Sequence, residues 1–203
     1  MITIVILDAE LELVPKEIWG HRQVRAYARR FGRRPGELLL DATFCHAAMR
    51  KLPEAERRGR PDIIHHLLLV AFDSPLGLEG KVDAYVHTRE GKVFYVPPGT
   101  RIPKNYFRFA GLFSKLLQGE TGPIIRRVEK LDMKKPIYVL DSAGELVEPS
   151  FWHGREGTFV IGGFPRGDYK TEIAAPRYSL SPHPLTAPSA LALLLAWIYE
   201  GFV

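Results

Sequence analysis

The chain opens with a strongly β-branched apolar run, "ITIVIL" (2–7), the pattern of a short buried strand. From Pro15 the period changes. Ile18, Val24, Ala28 and Phe31 recur at helical spacing, and the helix should end before Gly32. "ELLLDA" (37–42) fits a strand or the opening turn of the next helix, and "HAAMRKL" (46–52) is helical. A charged connector, "PEAERRGR" (53–60), leads to Pro61 at the start of a helix that runs through "DIIHHLLLVAF" and stops at "DSPLG". "KVDAYVHT", the turn "REG" and "KVFYVP" then read as a hairpin.

The segment "TRIPKNYFRFAGLFSKLL" (100–117) predicts a helix with Pro103 at its first position and Gly119 just past its end. At about 100° per residue, Lys104, Arg108 and Lys115 fall in one stripe. Tyr106, Phe109, Phe113, Leu116 and Leu117 gather on the other side. Arg101 lies just before the helix. No row of carboxylates sits at i+4 to pair with these cations, so the stripe costs helix stability through repulsion. It is either an ordinary solvated face or a face that tracks phosphates while the aromatic side is locked in the core.

The last third predicts strands at "IYVLD" (137–141), "TFVIGGF" (158–164) and "RYSLS" (177–181), then a long apolar helix from Thr186. Strands alternating with helices argue for an α/β fold with a mostly parallel sheet. Without an internal repeat, low-complexity tract or linker, residues 1–203 read as one domain.

Composition narrows the function. The balance of 28 Lys+Arg against 23 Asp+Glu is a mild excess, but arginines cluster in "RAYARRFGRR" (25–34), "ERRGR" (56–60) and "IRRVEKLDMKK" (125–135). Such clusters gather where phosphates lie, or else form solvated faces. One cysteine, Cys45, allows no intrachain disulfide and fits a reducing compartment. "MITIVILDAE" has neither a basic leader nor a cleavage site, and "ALALLLAWIY" (190–199) is shorter than the roughly 20 apolar residues that span a bilayer. A soluble cytoplasmic protein with no membrane partner is expected.

Arg60 and Asp62 flank a helix-starting proline. Asp62 could serve the helix dipole, or could hold the Arg60 guanidinium for an anion or a base edge. His65 and His66 are adjacent on a helix and point apart, and no HxxxH spacing occurs, so no metal site is expected. "VIGGFPRGDY" (160–169) is glycine-rich after a strand but is not GxGxxG. It suits a tight hairpin or a close backbone approach. "SLSPHPLTAPSALALLL" (179–195) stiffens the entry to a helix apolar almost all round, which belongs in the core or at a dimer interface. No GxSxG, P-loop or Cys/His pair supports nucleophilic hydrolysis.

Together, "RPDIIHHLLLVAFDSPL", "VDAYVHT", "PPGTRIPKNYFRFAGLFSKLL", "FVIGGFPRG" and "SLSPHPLTAPSALA" resemble, in order and spacing, the ribosome-biogenesis pseudouridine-N1-methyltransferases of the SPOUT superfamily. The resemblance runs from about Leu11 to the C-terminus, is most specific at 60–117 and 158–188, and is nearest the short archaeal members. It implies an α/β fold with a C-terminal trefoil knot. It also implies S-adenosylmethionine held by the end of a strand at Leu140, the Gly162–Gly167 loop, and Leu180, Ser181, Pro182, His183, Pro184 and Leu185. RNA-contacting roles are implied for Arg60, Asp62, Arg101, Lys104 and Arg108, with Lys104 standing where many relatives are expected to carry arginine. Residues 22–36 receive no role.

The activity this implies is methylation of N1 of a pseudouridine in a small-subunit rRNA loop, where an unpaired base can be splayed into a pocket. Arg60, oriented by Asp62, would stabilise negative charge developing on the ring, and an ion-paired Asp62 would be a weak base. A homodimer through the C-terminal helix, using Leu191, Leu194, Leu195 and Trp197, is a further implication. The rival reading is an rRNA-binding assembly factor whose methylation is secondary or lost.

Overall fold

A computed structural model describes all 203 residues. Seven strands form one sheet: β1 (Ile2–Ala9), β2 (Val82–Thr88), β3 (Val93–Val96), β4 (Arg126–Val128), β5 (Ile137–Leu146), β6 (Gly157–Gly162) and β7 (Arg177–Ser179). Their order is β4-β3-β2-β1-β6-β5-β7. β1 runs parallel to β2 and β6, and β5 runs parallel to β6 and β7. Only the β2–β3 and β3–β4 pairs are antiparallel. The helices are α1 (Arg22–Phe31), α2 (Ala42–Met49), α3 (Pro61–Asp73), α4 (Pro75–Leu78), α5 (Tyr106–Leu117) and α6 (Ala187–Glu200).

A strand at the centre of a parallel sheet must be covered on both faces, which is why β1 is apolar at almost every position and buried at all of them. Ile2, Ile4 and Ile6 enter the main core with Ile64 and Leu68 of α3, Phe109 and Phe113 of α5, and Leu191 and Leu194 of α6. Val5 and Leu7 point the other way, onto Val139 and Val160, under a cover from Leu131, Met133, Ile173 and Ala175. A separate small core joins Val24, Tyr27 and Ala28 of α1 to Cys45, Ala48 and Met49 of α2.

Several predicted elements move. The pattern beginning at Pro15 splits into a 3-10 turn, Lys16–Ile18, and α1, whose start is fixed by His21 accepting from the Gln23 amide at 3.2 Å. Within "ELLLDA", Leu39 bridges Leu13 as extended chain and Asp41 then caps α2 through the Thr43 amide at 2.8 Å. α5 starts three residues later than Pro103 suggested. His65 Nε2 donates to the Pro103 carbonyl at 2.7 Å, and the Asn105 side chain supplies the cap by accepting from the Arg108 amide at 3.1 Å. Arg126 and Arg127, inside the basic run at 125–135, lie exposed on edge strand β4, where charge discourages pairing with another chain. β5 continues to Leu146, with its pairing to β7 shifting between Leu140 and Glu145.

Candidate active site

The shift in β5 opens the sheet at the C-terminal ends of β5, β6 and β7, the place where parallel α/β sheets bind ligands. A cleft of about 480 Å³ lies there. One wall carries Leu140, Gly162 and Gly167. A second carries Leu180, Ser181, His183 and Leu185, and a third, at the start of α3, carries Arg60, Asp62, Ile63 and His66. Of the residues singled out for a cofactor, only Pro182 and Pro184 stay off the lining, both exposed in the loop that carries Ser181, His183 and Leu185.

The glycines meet steric demands. A Cβ on Gly162 would stand 2.7 Å from the Phe164 ring, and one on Gly163 would stand 2.6 Å from the Ala9 Cα. Gly167 adopts a φ of +85°, the left-handed region that favours glycine. The loop after β6 therefore folds tightly back on β1, and two side chains fasten it. Asp8 accepts from the Lys170 and Thr171 amides at 2.7 and 3.1 Å. Arg57 donates from Nη1 to the Asp168 carbonyl at 2.7 Å and lies over the Phe164 ring, 3.9 Å from its centre.

Arg57 and Arg58 come from "ERRGR", yet neither is solvated nor offered to phosphate. Both are buried. Arg57 Nε donates to Glu10 at 2.7 Å, and Arg58 pairs with both oxygens of Glu12 at 2.7 and 2.6 Å. Arg89 completes the group by donating to Glu10 and Glu54, each at 2.8 Å.

Arg60 and Asp62 make a two-bond fork at the cleft mouth: Nε to Oδ1 at 2.8 Å and Nη2 to Oδ2 at 2.7 Å. Burial alone would raise the Asp62 pKa, but the two guanidinium bonds outweigh it and hold the carboxyl below its ordinary range. The same bonds raise the pKa of Arg60, which stays charged. On the opposite wall Asp141 accepts from the Ala143 amide at 2.9 Å and from Arg177 at 2.7 Å. The Tyr169 hydroxyl donates to the Leu140 carbonyl at 2.7 Å; burial pushes its pKa up, so it remains a donor.

Arg101, Lys104 and Arg108 do not line the cleft. All three are exposed, and Lys104, displaced from the helix into the preceding loop, stands 3.6 Å from Asp73. The start of α5, which carries Arg108, is tied to the mouth through Asp41, which accepts the Tyr106 hydroxyl and acts on Arg60 electrostatically. Arg108 and Lys115 share the outer face of α5, while Phe109 and Phe113 are fully buried.

Sequence reasoning missed Asp141, Phe164, Tyr169 and His66 on the lining. Asp141 closed the predicted strand "IYVLD" and could have been read as a strand-end polar group. His66 follows Asp62 by one helical turn and so shares its face. Tyr169 carried no signal.

Arg60 is the one arginine or lysine on the lining, and it sits on the rim already forked to Asp62. A pyrophosphate would have no clamp here. Leucine walls and close backbone suit a nucleoside with no phosphate to neutralise, and the size falls within the range of small-molecule sites. The fold and cleft together define an α/β protein with a leucine-walled, nucleoside-sized cleft at its strand ends and a single arginine at the rim.

The chain belongs to the EMG1/NEP1 methyltransferase family, whose model matches residues 4–198. It is 42% identical to the ribosomal RNA small subunit methyltransferase Nep1 of Thermococcus onnurineus, an alignment covering 92% of this chain and 93% of that protein. The protein of the same name from Staphylothermus marinus is also 42% identical, over 91% of this chain and 89% of its own length. The crystal structure of Archaeoglobus fulgidus Nep1 bound to S-adenosylhomocysteine superposes with a TM-score of 0.88 at 33% identity, covering 98% of both chains.

Proposed function

We propose that this protein methylates small-subunit rRNA from S-adenosylmethionine, and that the acceptor is N1 of a pseudouridine in an unpaired loop. The observation that carries the reading is the Arg60–Asp62 fork opening onto the same cleft as the glycine loop and the Leu180–Leu185 loop. The relatives named as rRNA methyltransferases and the neighbour bound to S-adenosylhomocysteine support the substrate and cofactor classes.

The cleft fits the cofactor. Leu140, Leu180 and Leu185 would flank an adenine, and Gly162 and Gly167 admit close backbone to its polar edge. When bound, S-adenosylmethionine supplies a methyl group on a positively charged sulfur. The protein's task is to position a uracil-like ring in line with it and to favour loss of the N1 proton. Arg60 lowers the free energy of negative charge developing on the ring by placing a fixed, oriented cation at the mouth where that ring would sit. Asp62, committed to two guanidinium N–H groups and held below its ordinary pKa, fixes the direction of Arg60 and is a poor proton acceptor. Arg101, Lys104 and Arg108 hold the RNA backbone beside the mouth. Fixing the reactants in this way can supply several kcal/mol of the barrier reduction.

Two further features belong to this reading. The C-terminal third is threaded as a trefoil knot, and two copies pair through α6. Leu191, Leu194 and Leu195 are fully spent on the chain's own core, so the sequence-based dimer contact needs correction. The face left for a partner carries Ala192 and Ala196, exposed, with Leu193 and Trp197 half-buried beside them.

Arg60→Ala tests the assignment. Methyl transfer to the rRNA hairpin should fall at least a hundredfold, on the scale of losing one charge-stabilising donor, while S-adenosylhomocysteine affinity by calorimetry stays within twofold. Unchanged turnover would remove Arg60 from the reaction.

A further inference from the structure

The strongest feature unused by this chemistry is α1. Between Arg22 and Gly36 the chain has six arginines, no lysine and no acid. At about 100° per residue, Arg22, Arg25 and Arg29 fall within a sector of about 60°. Val24, Tyr27, Ala28 and Phe31 lie on the opposite side, with Val24, Tyr27 and Ala28 buried. Arg25, Arg29, Arg33 and Arg34 line a shallow groove of about 500 Å³, closed by Pro35 and Glu37. The single acid there, Glu37, is already taken by Arg34 through Nε at 3.0 Å and Nη2 at 2.7 Å. Arg22, Arg25, Arg29, Arg30 and Arg33 are exposed, and no carboxylate lies within 4.0 Å of any of them.

The density of this cluster sets it apart from a scattered solvated face. Some surface cations elsewhere have local partners, such as Lys104 with Asp73, Lys115 with Glu120 and Arg177 with Asp141, whereas α1 and the turn after it put five unpaired arginines within twelve residues. Like charges three and four residues apart destabilise the helix that carries them, and the dipole at its last turn favours only Arg29 and Arg30, so the Arg22–Arg25–Arg29 stripe keeps a repulsive cost that no carboxylate offsets. The use of arginine without lysine favours a ligand that accepts two bonds at once, as phosphate does. The helix is also firmly seated. Gln23 accepts from the Ala47 amide at 2.9 Å, and Tyr27 stacks on Phe44 with ring centres 4.4 Å apart.

The position of this face says which phosphates it meets. Phe31 at the end of α1 lies against Phe107 at the start of α5, ring centres 5.5 Å apart, and Phe107 is half exposed next to Arg108. Ser114 of α5 donates to the Glu37 carbonyl on the groove wall. The arginine face of α1 is therefore carried on a helix that abuts α5, the helix that presents Arg108.

We propose that Arg22, Arg25, Arg29 and Arg33 form a second RNA-binding surface that grips the phosphate backbone of the rRNA flanking the methylated loop. The exposed Phe107 ring at the junction offers an unpaired base a stacking surface. This inference rests on the rRNA reading above and extends it to a part of the substrate outside the reactive loop.

The test compares two RNAs, a minimal loop hairpin and the same loop with its natural flanking stem and strand, each titrated from 50 to 200 mM salt. In Arg25→Gln/Arg29→Gln/Arg33→Gln the salt slope for the extended RNA should fall by about two to three, at roughly 0.7–0.9 for each phosphate no longer neutralised. The slope for the minimal hairpin and the affinity for S-adenosylhomocysteine should not move. The matching triple lysine variant, which keeps the charge, should retain most of the extended-RNA slope and controls for fold. Equal slopes for wild type and the glutamine variant on the extended RNA overturn the proposal. A loss on the minimal hairpin as large as on the extended RNA overturns the flanking assignment. Methyl transfer by the wild type is scored separately, so a protein that binds through α1 but transfers nothing would overturn the proposed reaction and not this surface.

Discussion

Arg57 shows how much a single buried residue can organise. Its guanidinium faces Glu10, the Asp168 carbonyl and the Phe164 ring, so it couples the end of β1 to the loop that walls the cleft. Removing one partner of a buried pair typically costs about 3–5 kcal/mol, and Glu10 keeps Arg89. Arg57→Met should therefore lose about 3 kcal/mol in chemical denaturation and weaken S-adenosylhomocysteine binding. A variant with wild-type cofactor affinity would show that the loop holds its shape without Arg57. Gly163→Ala tests the same loop from its backbone, since the new methyl would press on Ala9, and overpacking of this kind costs about 1–3 kcal/mol. The roles of Arg57 and Arg58 were not legible in "ERRGR", because their partners stand more than forty residues away. The visible trace was the alternation of Glu10 and Glu12 with leucines, which a run of solvated acids does not need. Arg60 and Asp62 were legible because both members of the pair lie within three residues.

At the scale of elements, strands and helix cores followed from periodicity, and the ends did not. The apolar period of α5 placed Phe109 and Phe113 correctly in the core. Its start was misplaced because a proline at the first turn and an Asn105 cap are both good openings, and a tertiary bond decided between them. That bond is the His65 donation to Pro103. Asn105→Ala should cost about 1 kcal/mol, whereas Gly111→Ala, on the exposed side of α5 with nothing within 4 Å of the new methyl, should gain roughly 0.5–1 kcal/mol. Thermal unfolding distinguishes these signs. His65 adds a pH dependence. Burial lowers its pKa in the fold, so protons bind the unfolded chain first, and the contribution present above about pH 6.5 is lost as pH falls through the lowered value. Stability should drop on acidification from pH 7 to 5, and His65→Asn should flatten that part of the profile. An unchanged profile would assign the drop to other groups, such as His87, whose pKa burial also lowers.

For the molecule as a whole, the sheet sets the cleft and the helices set the surfaces around it. No helix is long and apolar enough to cross a membrane. The outer face of α6 predicts a dimer that Ala192→Arg with Ala196→Arg should convert to monomer in sedimentation; wild-type protein that is monomeric at micromolar concentration would contradict that pairing. Which face of α6 remains free could not be read from a helix apolar nearly all round, because period alone does not say which neighbours take it. The arginines of α1 were visible in the sequence, but their lack of carboxylate partners is a property of the folded surface.

The most direct measurement is methyl transfer from S-adenosylmethionine to two rRNA hairpins identical except for uridine or pseudouridine at one loop position. Transfer to the pseudouridine hairpin alone is the predicted result, because only that base carries a free N1–H on the ring that Arg60 orients, N1 of uridine being taken by the glycosidic bond. Binding of both hairpins with transfer to neither would contradict the account and leave an rRNA-binding assembly protein in its place.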